Sequence, residues 1–340
     1  MGGSSGSVPK VWRLYTTEEI QNSPSRPFMT LEKENLTRKQ HTKLIKSAGQ
    51  ELKFSQTAGP VVVGAACTFF HRYFMMKSFA HNDPLIFAAA SLFLACKTED
   101  NPRALQDIYF TMFKLRYGKS HPDIVRKLQA NKPFVEELRD TILTAERALM
   151  YTLGFEFEYI HPFKYYSEVL AGMGLKEEQM QPGTPQAIIS SIMDANLSSV
   201  LLMGTSRHLC AAATQFILVN VGKHQIPLVE GKPWYVAFEP AAPELIPNIV
   251  TEMGRWYTIR PTAARTSRAV ASHTAESAGP TPTSQPAAPV KRPALPGSQQ
   301  HTSASAPPAQ ARRDDALTIY GPEKHPAAEL LPAGLFPAAA

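Results

Sequence analysis

The sequence predicts an all-α protein. Three observations carry that prediction. Apolar residues recur at helical spacing through most of residues 30–260. No stretch of the chain alternates as a series of strands. Helix-start and helix-stop residues bracket the periodic stretches.

The elements follow in order. Leu44, Ile45, Ala48 and Leu52 share one helical face. Val61–Phe79 is apolar on most sides and reads as a central buried helix, with Pro60 in its first turn, where a missing N–H costs nothing. Asn82-Asp83-Pro84 supplies a cap and a first-turn proline for the next apolar helix, LIFAAASLFLACK. Pro102 opens an amphipathic piece with Leu105, Ile108 and Phe113; Gly118, Pro122 and Pro133 make residues 104–133 partly loop. Leu138, Ile142, Ala145, Leu149 and Leu153 form one stripe, and Gly154 stops that helix. The run FEFEYI at 155–160 suits one extended strand without a partner. Residues 163–170 and 186–202 are helix candidates separated by the breaker MQPGTP, and Ser206–Val221 is a further helix. AAASLFL at 88–94 and AAATQFIL at 211–218 share an Ala-rich start and an apolar end, which suggests two stacked helical units.

Composition narrows the class. With 340 residues there is room for two domains of about 100–200 residues each. A hydrophobic fraction of 44% allows a sizeable core. Three Cys exclude a disulfide-rich secreted scaffold and favour a reducing compartment. No apolar run approaches the roughly 20 residues of a membrane helix, and the first residues carry no apolar secretory core. Residues 261–340 hold 13 Pro and 20 Ala with two aromatics, and read as a disordered tail. The tail has seven basic and five acidic residues, so the formal +6 of the chain leaves a mild +4 on residues 1–260. That gives no case for strong nucleic-acid binding.

No catalytic constellation stands out. Gly-rich phosphate loops, HExxH and CxxC are all missing from the sequence. Cys67 and His71 lie four apart on one helix, but further metal ligands are not evident, so both read as packed core residues. Neither a catalytic residue, a metal nor a cofactor is expected. Lys97-Thr98-Glu99-Asp100 reads either as a solvated helix end, with Lys97 meeting the dipole, or as an interaction face.

Five motifs, in order, resemble the cyclins, and among them cyclin T and cyclin K. WRLYTTEEI at 12–20 with NSPSR at 22–26 is similar to the lead-in of cyclin T. HRYFM at 71–75, LFLACKTEDNPRAL at 92–105, LTAERALMYTLGFEFEYIHPF at 143–163 and GKPWYVAF at 231–238 resemble the later family motifs. The resemblance covers about residues 11–260 and implies two tandem five-helix cyclin boxes. Its domains are an N-terminal arm at 1–30, a first box at 31–157, a second at 158–260 and the tail at 261–340.

The resemblance implies a regulatory subunit, not an enzyme. Such a subunit forms a heterodimer with a cyclin-dependent kinase and holds its αC helix inward, so that the αC Glu meets the β3 Lys that aligns ATP. It implies Lys97 and Glu146 as a kinase-binding pair, and Phe155 and Phe157 as apolar kinase contacts, with core packing their competing role. Arg72 is implied to brace the box internally. A partner like cyclin-dependent kinase 9, action on the RNA polymerase II C-terminal domain, promotion of elongation and a nuclear location follow from the cyclin T likeness. A cyclin K-like pairing with kinases 12 or 13 is the alternative. For the tail, contact with the polymerase repeats stands against a passive linker. A factor IIB-like helical scaffold is the non-kinase alternative, although three widely spaced Cys cannot build its zinc ribbon.

Several positions depart from the family. The run after Ser55-Gln56 is longer than in cyclin T, which leaves the helix register near 57–70 open. Asp100 stands where Glu is usual, Trp234-Tyr235 replaces a Trp pair, and the cell-cycle docking patch is missing from TRKQHTKLIKSAG.

Overall fold

Thr30 caps the first long helix: its hydroxyl accepts the Lys33 N–H at 3.2 Å, and Glu32 and Glu34 complement the positive helix end. The computed structural model describes residues 12–222 and 225–259 of the chain. A short helix α1 (Thr17–Gln21) precedes α2 (Leu31–Glu51), α3 (Ala58–Met76), α4 (Pro84–Thr98), α5 (Leu105–Tyr117), α6 (Ile124–Ala130) and α7 (Lys132–Thr152). Then follow α8 (Tyr166–Gly172), α9 (Thr184–Ala195), α10 (Ser206–Phe216), α11 (Trp234–Phe238) and α12 (Leu245–Thr258), with 3₁₀ turns at 162–165 and 199–202. The described residues contain no strand. The Pro/Ala-rich tail expected to be disordered lies outside them.

Two helical bundles result. In the first, α4 is the central rod and packs on α2, α3, α5 and α7. Asp83 caps it, accepting the N–H groups of Leu85 (2.7 Å) and Ile86 (3.3 Å), with Pro84 at the first helical position. In the second bundle α10 takes the matching place against α8, α9 and α12. Ala88–Ala90 and Ala211–Ala213 are all buried. Small side chains let neighbouring helices approach closely, and this is why the Ala-rich motif occurs twice.

The structure refines the sequence reading in four places. Residues 104–133 are mostly helical, as α5 and α6. Residues 156–160 lie outside any helix and, as expected, pair with no strand. The MQPGTP breaker donates its last residues to α9: Gly183, at φ 87°, precedes the helix, and Pro185 occupies its first turn. The helix expected over 186–202 breaks after Ala195, because the Leu197 carbonyl turns out of the ladder to accept the His71 Nε2–H at 3.1 Å. The open register of α3 is settled by close packing. A Cβ on Gly64 would stand 2.1 Å from the Tyr159 hydroxyl, so only glycine fits where α3 meets the 155–160 segment.

A buried polar cluster ties the N-terminal stretch to both bundles. Glu34 and Arg38, each 1% exposed, pair at one turn's spacing: Arg38 Nε donates to Glu34 Oε1 at 2.9 Å. Glu34 Oε2 also accepts from Ser23 Oγ (2.6 Å) and Arg26 Nη2 (2.5 Å). Arg38 Nη2 donates to the Phe74 carbonyl at 2.9 Å, an acceptor left over at the end of α3. Ser25 Oγ accepts the Phe79 N–H at 3.0 Å. The NSPSR motif is therefore a set of ligands for Glu34 and the turn after α3. His71 Nδ1 faces Arg38 at 3.3 Å while Nε2 donates to Leu197 in the second bundle. Lys39 Nζ adds a second link, donating to the Trp256 and Ile259 carbonyls at 2.7 and 3.0 Å at the end of α12.

Removing one member of a buried ion pair leaves the other charge unmatched. Glu34→Gln and Arg38→Met should each lower stability by about 3–5 kcal/mol, read as a fall in the urea midpoint at unchanged slope. A loss near that of an exposed pair, about 0.5 kcal/mol, would contradict this account.

Two buried histidines make the fold acid-sensitive. Burial and the neighbouring Arg38 charge hold His71 down to about 3, and burial holds His41 down to about 4, against an ordinary 6.5. Both stay neutral in the folded chain and take up a proton on unfolding below that value. Their contribution is fully present above about pH 6.5 and lost as pH falls toward 4, by up to about 1.4 kcal/mol per pH unit for each. Urea unfolding followed from pH 7.5 to 5 should show this fall; a flat profile would exclude it.

Candidate functional site

Helices α4 and α7 pack side by side and end at the same kind of stop. In α7 the Phe155 N–H bonds the Met150 carbonyl at 3.1 Å and the Gly154 N–H bonds the Tyr151 carbonyl at 3.2 Å. Gly154 sits at φ 64°. These are the two bonds of a Schellman stop with glycine in the left-handed position. In α4 the Asn101 N–H bonds the Cys96 carbonyl at 2.9 Å, and Asp100 takes the left-handed place at φ 51°. Asp tolerates that region better than most residues, so Asp100 is explained by backbone geometry.

These stops position the side chains named from the sequence. Lys97 lies in the last turn of α4, and its Nζ stands 2.5 Å from Glu146 Oε1 on α7. The Lys97 side chain is 44% exposed and that of Glu146 only 5%. The Lys97 ammonium also lies 4.4 Å from the Phe93 ring centre, a cation–π contact. Glu146 Oε1 makes no aligned hydrogen bond, so the pair is a charge contact with lone pairs left open. Glu99, next to this turn, is pushed up from the ordinary carboxylate range by burial first and by Asp100 second.

Phe155 stands out of the surface, 58% exposed, at φ 59°. A bulky residue in the left-handed region is uncommon. Here it directly follows the left-handed glycine of the α7 stop. Phe157 is half-buried, edge-on to core Phe69 at 5.9 Å and to Phe155 at 6.0 Å. The structure thus brings Lys97 to Glu146 and Phe155 to Phe157, both pairs hanging on α7 and its end.

Sequence reasoning missed two members. Tyr151, 68% exposed, meets the Phe155 ring edge-on at 5.6 Å, and Phe93 supports Lys97. Both sit inside the quoted motifs. The available signal was an aromatic off the apolar stripe of a helix that otherwise buries its apolar residues. Arg72, expected to brace the box, stacks 3.8 Å over the Trp12 ring. Cys67 and His71 are both fully buried. Among the described residues no cluster of three His, Cys, Asp or Glu is placed to hold a metal, and no helix is long and apolar enough to cross a membrane.

The family model for the cyclin N-terminal domain matches residues 10–158. That match lies over the first of the two helical bundles, so this part of the chain is similar to a cyclin N-terminal domain, and the relatives it resembles are cyclin T proteins. The chain is 29% identical to Cyclin-T1-4 of Arabidopsis thaliana over 247 residues, 72% of this chain and 43% of that one. It is 31% identical to Cyclin-T1 of Homo sapiens over 163 residues, 48% of this chain and 21% of that one. The chain spans less than half the length of these relatives. A chain in the structure of the CAK complex of Chaetomium thermophilum bound to ATP-gamma-S is similar at a TM-score of 0.49 and 14% identity, covering 73% of this chain and 76% of that one.

The left-handed stops set a stability difference. Gly154→Ala should cost about 1 kcal/mol, because any Cβ is strained at that φ. Asp100→Gly should leave stability unchanged within about 0.5 kcal/mol. Thermal unfolding of the two variants beside the parent chain measures both.

Proposed function

We propose that this chain is the regulatory, non-catalytic subunit of a cyclin-dependent kinase, and that α4, α7 and the 155–157 segment form the docking face. The observation that carries this reading is the exposed aromatic pair Tyr151–Phe155 on the helix that also holds the Lys97–Glu146 pair. Large exposed aromatics on a rigid, capped helix end are the side chains from which binding hot spots are made.

The roles follow from the geometry. Lys97 carries three donors, and the buried Glu146 carboxylate holds its ammonium at one place. The remaining donors then suit backbone carbonyls at the end of the kinase αC helix. Phe155 and Tyr151 supply apolar surface for the side of that helix, with Phe157 anchoring Phe155 to the core. Binding the inward αC position more tightly than the outward one shifts the kinase population toward activity without chemistry on this chain.

The likeness to cyclin T supports a kinase 9-like partner acting on the RNA polymerase II C-terminal domain to promote elongation, and a nuclear location. We divide the chain into an arm at 1–30, boxes at 31–157 and 158–260 and a tail at 261–340.

Two variants test the docking face. Lys97→Glu/Glu146→Lys exchanges the two charges, which keeps an internal ion pair but turns donors into acceptors toward the kinase. Phe155→Ser changes an exposed side chain, so stability should hold within about 0.5 kcal/mol. Each should lower co-purified kinase, assayed on polymerase repeat peptide, by at least about tenfold. Undiminished capture by both, with unfolding midpoints near the parent, would remove the docking face from α4 and α7. If the parent chain captures no repeat-phosphorylating kinase, the kinase-subunit reading itself falls.

A further inference from the structure

A second site lies away from α4 and the end of α7. The stretch 12–14, the middle of α3, residues 158–160 and the start of α10 enclose a cavity of about 330 Å³. Arg72 lines it. Its guanidinium lies 3.8 Å over the Trp12 ring, and its Nε is buried without a hydrogen-bond partner. Among the described residues this guanidinium makes no hydrogen bond or ion pair. Burial is the main cause that pulls its pKa down to about 10, and Tyr15 and Glu156 oppose that pull. A guanidinium whose buried Nε lacks a hydrogen-bond partner is unusual, since buried polar groups are otherwise paired.

The opposite wall is complementary. Ser206 and Arg207 begin α10 at its positive end, inside a Thr205–His208 capping box that holds the Thr205 and His208 N–H groups and leaves those of Ser206 and Arg207 without an intrahelical acceptor. The charge of Arg207 is already spent on Glu168 at 2.7 Å and Glu239 at 3.3 Å. Asn196, 3% exposed, also lines the cavity, and its Oδ1 is a buried acceptor without a partner. The unmatched Nε of Arg72 thus belongs to a cavity lining that also holds an unmatched acceptor. Glu158, exposed at the rim, is the carboxylate among the lining residues.

We propose that this cavity binds a peptide side chain bearing an anion, carboxylate or phosphate, with the anion on Arg72 and the start of α10 and a peptide N–H on Asn196 Oδ1. Leu201 and Leu209 form an apolar wall that suits an aliphatic neighbour in the same peptide. A nucleotide fits less well, because the Trp12 face that could stack a base is covered by Arg72. This inference does not depend on the kinase reading.

The test uses the full chain and calorimetric titration with blocked tetrapeptides Ala-X-Leu-Ala, where X is phosphoserine, glutamate or serine, and with AMP. The phosphoserine or the glutamate peptide should bind saturably, at least about tenfold tighter than the serine peptide. Which of the two binds identifies the source of the anion. Arg72→Gln should weaken that binding by about tenfold or more. Glu158→Gln, an exposed change with no expected effect on folding, should tighten it about two- to fivefold by removing a like charge. Four results would overturn the proposal: no saturable binding of either acidic peptide; equal binding of the serine peptide; binding of AMP alone; or no change on Glu158→Gln. If Arg72→Gln does not fold, the Glu158→Gln comparison decides alone.

Discussion

The Glu34–Arg38 ion pair is the constraint around which the rest of this structure is arranged. Both side chains are 1% exposed, and two charges taken out of water demand nearly every lone pair and proton nearby. Glu34 needs more than Arg38 can give, so Ser23 and Arg26 are drawn in from the N-terminal stretch. Arg38 has donors to spare and spends them on the last carbonyls of α3 and on His71. His71 in turn commits its other nitrogen to Leu197, and that bond breaks the helix after α9. One pair thereby sets the course of the N-terminal stretch, the end of α3 and the approach of the two bundles.

The second bundle has its own version of this device, nearer the surface. Arg207 at the start of α10 reaches Glu168 in α8, Glu239 after α11 and the Phe238 carbonyl, and lies 3.7 Å over the Phe238 ring. His208 adds a 2.7 Å bond to Glu239. In each bundle an arginine with five fixed donors joins elements far apart in sequence, a task that a flexible ammonium does poorly.

At the proposed docking face the backbone does the positioning. Schellman stops end α4 and α7, and each fixes the place of a residue beside the stop. Lys97 is held where its ammonium reaches α7, and Phe155, next after the left-handed glycine, stands exposed. An apolar residue that stands in solvent gains its stabilisation elsewhere, and a partner surface is where that can happen. Phe157, one side chain further along the extended segment, points back to Phe69 and remains with the core.

The sequence alone determined the helical class, the Ala-rich helices that begin at Pro84 and Ser206, the cap at Asp83 and the stop at Gly154, and the family motifs that single out Lys97 and Glu146. These are local properties: a cap, a stop or an apolar stripe depends on residues within one or two turns. Tertiary structure decided what depends on distant partners. Glu34 and Arg38 look like an ordinary exposed i,i+4 pair until α3 and the NSPSR stretch close over them. Residues 186–202 read as one helix because the bond that breaks it comes from His71, far away in sequence. Arg72 shows no unmet charge until the cavity around it is formed. Periodicity records which face of a helix is apolar; it carries no record of which buried polar atoms lack a partner, because that follows from the packing of the whole chain.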